Sequence, residues 1–102
     1  MEVILLLQAE LDIQKIYNRL EDFQPELGDR FLTRLDRAYA QLQQFPESAR
    51  IYRSRYRRKL VRGFNYGIFY VVESHRIVVG TVQNLQQDPK RIARELDDLG
   101  GK

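Results

Sequence analysis

The stretch Phe64-Asn65-Tyr66-Gly67-Ile68-Phe69-Tyr70-Val71-Val72 constrains the fold of this chain more than any other. Aromatic and β-branched side chains fit a pleated, half-buried surface, so residues 66–72 read as a strand. Immediately before it, seven of the thirteen residues 50–62 are basic, and no acid falls between Glu47 and Glu73. Residues 51–61 read as extended, with a bend or break among Arg53, Ser54 and Arg55, and Gly63 permits the turn into Phe64. Alternation sets Arg55, Arg57 and Lys59 on one face of that strand, with Tyr56, Arg58 and Leu60 on the other. A buried strand laid behind a cationic one implies a sheet that presents positive charge from a rigid base, and such a sheet needs helices to cover it.

The N-terminal half supplies them. Residues 1–8 are short, aliphatic and bounded by polar residues, which predicts a buried strand. From Ala9 the period becomes helical: Ala9, Ile13, Ile16, Tyr17 and Leu20 form one stripe. Pro25 pushes the residue before it out of the α region, so this helix is expected to end near Asp22. A second helix is predicted over residues 25–44, with Pro25 in its first turn. Its stripe is Leu27, Phe31, Leu35, Ala38, Tyr39 and Leu42, and Pro46 stops it. Two amphipathic helices joined by a short turn make a helical hairpin.

Residues 76–83 read as a further strand, joined to 66–72 by a short loop at Glu73-Ser74-His75. Asp88-Pro89 signals a last helix, with the aspartate as N-cap. Ile92, Ala93, Leu96 and Leu99 give it a narrow apolar stripe, ended by Gly100-Gly101. The expected architecture is α+β in the order β-α-α-β-β-β-α. A largely antiparallel sheet packs against an N-terminal helical hairpin, with a short C-terminal helix, in one domain over residues 1–102.

Composition narrows the chemistry. The chain has no cysteine, which removes disulfides and thiol chemistry, and one histidine, which argues against a histidine-based metal site. No cofactor or metal is implied. The longest apolar run, Val3-Ile4-Leu5-Leu6-Leu7, is far short of a membrane span and lacks the flanks of a signal peptide. A cytoplasmic protein with no membrane partner is expected. Residues 50–62 carry +7 against a net +3 for the chain, so the remainder is net −4. Such a polar charge distribution favours an anionic partner, be it nucleic acid, acidic protein or phosphate.

The element order, taken with Arg57-Arg58-Lys59-Leu60-Val61-Arg62-Gly63-Phe64-Asn65-Tyr66-Gly67-Ile68-Phe69-Tyr70, resembles the RelE/ParE superfamily of bacterial type II toxins. Gly28-Asp29-Arg30-Phe31, Phe45-Pro46 and Asp88-Pro89 add to the likeness, which covers nearly the whole chain. The long helical hairpin and the arginine-rich strand followed by Phe-x-Tyr-x-Ile-x-Tyr point to the ParE-like, plasmid-stabilisation branch. The resemblance implies a toxin neutralised by a cognate antitoxin and acting on DNA gyrase by binding. It leaves open a homodimer or a toxin–antitoxin hetero-oligomer. RelE-like members instead cut messenger RNA on the ribosome.

Cleaving RNA by 2′-hydroxyl attack needs a base, an acid and positive charge for the phosphorane. Arg58 and Arg62 suit the third role, with Tyr56 as an acid–base candidate; no catalytic set is otherwise evident. His75, in a hairpin loop, reads as an exposed turn residue. ParE-like sequences often read His-x-Arg-Arg-Asp-Pro before the last helix, where this chain has Asn84, Gln86 and Gln87. That departure leaves room for a non-toxic relative acting as a regulatory or binding protein. The expected target contacts are Arg53, Arg55, Arg57, Arg58 and Arg62, with Asn84 and the segment after it as a second surface.

Overall fold

A computed structural model describes residues 1–99 and has the expected α+β architecture. In chain order the elements are β1 (Glu2–Leu5), α1 (Leu7–Phe23), α2 (Leu27–Gln44), β2 (Ile51–Arg53), β3 (Tyr56–Leu60), β4 (Tyr66–Glu73), β5 (Arg76–Asn84) and α3 (Pro89–Asp98). The strands form one sheet in the order β1-β5-β4-β3-β2. β2, β3, β4 and β5 pair antiparallel with their neighbours, and β1 lies parallel to β5. The break expected among Arg53, Ser54 and Arg55 is a tight turn, with Ser54 at φ 54°, that divides the basic stretch into β2 and β3.

Alternation along β4 feeds two cores. Tyr66, Ile68 and Tyr70 face the helical hairpin, where Phe31, Leu35, Ala38 and Leu42 of α2 close over them. The Phe31 ring meets Phe64 and Tyr66 edge-on, each at 5.4 Å between centroids. Phe69 and Val71 face the other way, join Tyr56 and Val78, and are covered by Ile92 and Leu96 of α3. Both faces of β4 are therefore buried, which is why residues 66–72 carry no polar alternation. Each large apolar side chain so enclosed contributes about 1.5–3 kcal/mol relative to exposure.

Three boundaries differ from the sequence reading. β1 ends at Leu5 and α1 begins at Leu7, two residues before the expected start. The run Val3–Leu7 is aliphatic across the junction, so periodicity carries no mark of where the strand stops. Leu6 makes the transition: its N–H donates to the Val79 carbonyl at 2.9 Å and its carbonyl accepts from Glu10 at 3.1 Å. α2 begins at Leu27 and leaves Pro25 in the turn, because Glu26 takes a left-handed conformation, φ 74°, to reverse the chain. Ser74 and His75 make a two-residue turn with φ 48° and 63°, the positive values that a tight hairpin requires. The expected helix stop at Gly100-Gly101 lies outside the described residues. Among those described, no helix is long and apolar enough to cross a membrane.

Candidate functional site

The arginines singled out from the sequence sit on the β2–β3 hairpin at one edge of the sheet, and most have intramolecular partners. Arg53 donates from Nε and an Nη to both carboxylate oxygens of Asp97 on α3, each at 3.0 Å. This two-pronged bond holds the Asp97 carboxyl below its ordinary value. Arg55, at the turn, pairs with Glu73 of β4 at 3.2 Å. Arg57 reaches under the β2 edge and donates to the carbonyls of Glu47 at 3.1 Å and Ala49 at 2.7 Å. Arg58 lies over the Tyr52 ring, 5.1 Å from its centroid, and that ring stands edge-on to Phe69 at 5.2 Å. Arg62, past the end of β3, is exposed and its side chain has no partner among the described residues.

Register explains the division. Arg57 pairs with Tyr70 and shares the hairpin-covered face; Arg58 pairs with Phe69 and shares the α3 side. Gly67, one pair along from Lys59 and Ile68, lets β3 and the segment after β5 approach each other. A Cβ there would lie 3.0 Å from Leu85 Cδ2 and 3.3 Å from Arg58 Cγ. Arg58 is thus brought against the loop that begins at Asn84. Asn84 itself turns that loop, its Oδ1 accepting from the Gln86 N–H at 2.9 Å.

Tyr56 does not join Arg58 and Arg62 in an exposed cluster. Its ring is buried beneath α3, and burial, the largest influence, pushes its phenol above the ordinary value. Arg62 lies six residues further on, about 20 Å away along extended chain. His75 is exposed in the β4–β5 turn. Among the described residues no group of three histidines or carboxylates gathers as a metal site.

One polar feature escaped the sequence reading. β1 pairs with β5 only as far as Val79, which leaves residues 80–84 of β5 open between α1 and α3. The resulting groove, 710 Å³ in volume, is lined by residues including Asp12, Lys15, Gln83, Asn84, Arg91 and Glu95. In it the Asp12 carboxylate accepts from the Thr81 hydroxyl and from the Val82 N–H, the latter at 3.1 Å. Gln83 donates to Thr81 Oγ1 at 2.6 Å and to Glu95, and so ties α1, β5 and α3 into one hydrogen-bonded chain. The available signal was the pair Thr81 and Gln83, two residues apart in an otherwise apolar strand.

The family model described as the ParE toxin of type II toxin-antitoxin system, parDE, matches residues 3–89. Among solved structures, a chain of the chromosomal ParDE TA system from P. aeruginosa superposes with a TM-score of 0.73. The two are 16% identical, over 84% of this chain and 97% of that one, so the likeness is one of fold. No curated protein matches the sequence.

Proposed function

The chain belongs to the ParE toxin family of type II toxin–antitoxin systems, and from that premise we propose that it acts in the cytoplasm by binding DNA gyrase. A cognate antitoxin neutralises it in a toxin–antitoxin complex. The observation that carries this reading is the cationic β2–β3 edge. Arg58 is braced on Tyr52, Arg62 past the end of the same strand is exposed without a side-chain partner among the described residues, and Arg53, Arg55 and Arg57 are held by partners that fix the hairpin. A rigid, positively charged edge suits recognition of an anionic protein surface, since little side-chain freedom remains to be lost on docking. Tyr56, the acid–base group a nuclease would require, is enclosed under α3, which favours binding over strand cleavage. Asn84, at the end of β5, and the loop after it, whose Leu85 flanks Gly67 together with Arg58, serve as a second contact.

The test is pulse-labelling of DNA and protein synthesis immediately after the chain is induced in a bacterial host. DNA synthesis should stop first, with breaks that depend on gyrase, and the double variant Arg58→Glu, Arg62→Glu should restore growth while remaining folded. If protein synthesis stops first, with cleaved transcripts, the binding mechanism is wrong and a ribosome-dependent nuclease replaces it. If cells grow unaffected, the toxin reading fails for this member.

A further inference from the structure

We propose that the outward flank of α2 is a second binding surface, one that tracks the phosphodiester backbone of a nucleic-acid duplex. Arg30, Arg34 and Arg37 recur at i, i+4 and i+7 along α2, so they form one stripe about 10 Å long. Their side chains have no hydrogen-bond or ion-pair partner among the described residues, in contrast to Arg53, Arg55 and Arg57. The acids of the same helix are Asp29, which with Glu26 lines the shallow depression at the Arg30 and Thr33 end of the stripe, and Asp36. Asp29 takes the Tyr17 hydroxyl of α1 at 3.1 Å, Gln43 reaches the Met1 carbonyl at 3.1 Å, and Asp36 projects from that side by helical spacing. That contact fixes the direction of the stripe. With Asp29 and Gln43 turned toward α1 and β1, helical spacing sets Arg30, Arg34 and Arg37 on the flank away from those contacts.

β3 extends the charge. Lys59 pairs with Ile68 and therefore stands on the face of the sheet that carries the helical hairpin, without a partner for its ammonium among the described residues. Four unpaired cations on one side of the molecule, with Thr33 and Gln41 among them, match the Arg, Lys, Thr and Gln contacts through which proteins hold phosphates. A protein partner would require apolar anchors at the centre of its interface. No large apolar side chain is exposed between Arg30 and Gln41. A duplex requires none, and it carries about one negative charge per 1.7 Å of axis. The stripe offers no base-reading geometry, so the contact is independent of sequence. It rests on α2 and holds whatever the target of the β2–β3 edge.

The test is fluorescence anisotropy of the full chain with mixed-sequence duplexes of DNA and of RNA over a salt series. Four phosphate contacts predict a log–log salt slope of about −3 to −4, and binding about 100-fold weaker at 200 mM than at 50 mM salt. The triple variant Arg30→Gln, Arg34→Gln, Arg37→Gln should reduce the slope to about −1. Whichever duplex binds identifies the source of the phosphates. An unchanged slope in the variant, or no binding of either duplex by the parent chain, overturns the proposal. So does tighter binding of a poly-glutamate peptide through the same arginines, which would assign the flank to an acidic protein. If the triple variant does not fold, Arg30→Gln and Arg37→Gln are read singly. Both sites are exposed, and each change should lower the slope by about one; no change in either overturns the proposal.

Discussion

The ring of Tyr17 on α1 occupies the space that a side chain on Gly28 of α2 would need. A Cβ at Gly28 would lie 2.7 Å from Tyr17 Cδ2 and 2.8 Å from Glu21 Cγ. The ring is not free to move aside, because its hydroxyl is shared between Glu21 Oε1 and Asp29 Oδ1, each at 3.1 Å. Gly28→Ala gains up to about 1 kcal/mol of helix propensity, yet overpacking at such a contact costs about 1–3 kcal/mol. A net loss of about 1–2 kcal/mol is expected in urea unfolding. Removing the obstacle with Tyr17→Ala should cancel most of it, so the double-mutant cycle should show strong coupling between the two sites. Additive effects would mean that the helices are not in contact here.

The same hydroxyl gives a pH signature. Hydrogen bonds from Tyr17 to Glu21 and then Asp29 push its phenol up from 10.0 to about 12. The unfolded chain therefore ionises first as pH rises. The stability this group contributes is complete below pH 10 and is lost as pH climbs through about 12. In Tyr17→Phe that portion of the alkaline loss should disappear. Equal slopes of stability against pH for the two proteins between those values would refute the assignment.

Tyr39 is the opposite case. Its hydroxyl is buried with no hydrogen-bond partner among the described residues, and burial drives its phenol well above the ordinary range. A buried donor without a partner bears its desolvation penalty with no compensating bond. Tyr39→Phe keeps the ring and deletes the orphan, so it should raise stability by about 0.5–1 kcal/mol in chemical denaturation. A loss of similar size would show that the hydroxyl has a bonded water.

Much of this architecture was legible because it depends on local signals. The stripe Phe31, Leu35, Ala38 and Leu42 and the aromatic run from Tyr66 to Tyr70 declare a helix and a buried strand by periodicity and β-branching alone. The Asp88 cap before Pro89 was equally plain, and its side chain does accept from the Lys90 N–H at 2.9 Å. What stayed hidden depends on partners distant in sequence. Nothing in the order of residues shows that Arg57 will meet the carbonyls of Glu47 and Ala49 while the Arg62 side chain meets no partner among the described residues. Nor is Asp12, a polar residue on an amphipathic helix, marked as a cap for β5 some 70 residues later. A run of arginines conveys charge; only the fold divides it into braces and free cations.

Asp12 should matter more than its partly exposed position suggests. Its carboxylate serves the Val82 N–H and the Thr81 hydroxyl where β1 no longer covers β5. Asp12→Ala leaves both donors short of an acceptor in a partly buried groove, at a cost of about 2–3 kcal/mol. Asp12→Asn keeps one carbonyl oxygen and should recover part of that. Amide hydrogen exchange at Val82 should accelerate more than at Ile68, which keeps its sheet partners. Uniform acceleration across the sheet would mean that Asp12 acts on global stability alone.

Arg57 and Arg62 separate bracing from binding. Arg57 is half-buried and satisfies two carbonyls of the segment leading into β2, so Arg57→Gln should destabilise the fold by about 1–2 kcal/mol through lost charged hydrogen bonds. Any fall in toxicity of that variant should follow its fall in folded protein. Arg62 is exposed with no side-chain partner among the described residues, and Arg62→Glu should leave the unfolding free energy within about 0.5 kcal/mol of the parent. It should nevertheless weaken the arrest of DNA synthesis, since reversal of a charge at an edge that meets an anionic surface turns attraction into repulsion. The discriminating measurement is growth arrest per molecule of folded protein. The cationic-edge reading requires Arg62→Glu to lower it and Arg57→Gln to leave it nearly unchanged; the reverse pattern would move the contact to the face that Arg57 shares with Tyr70.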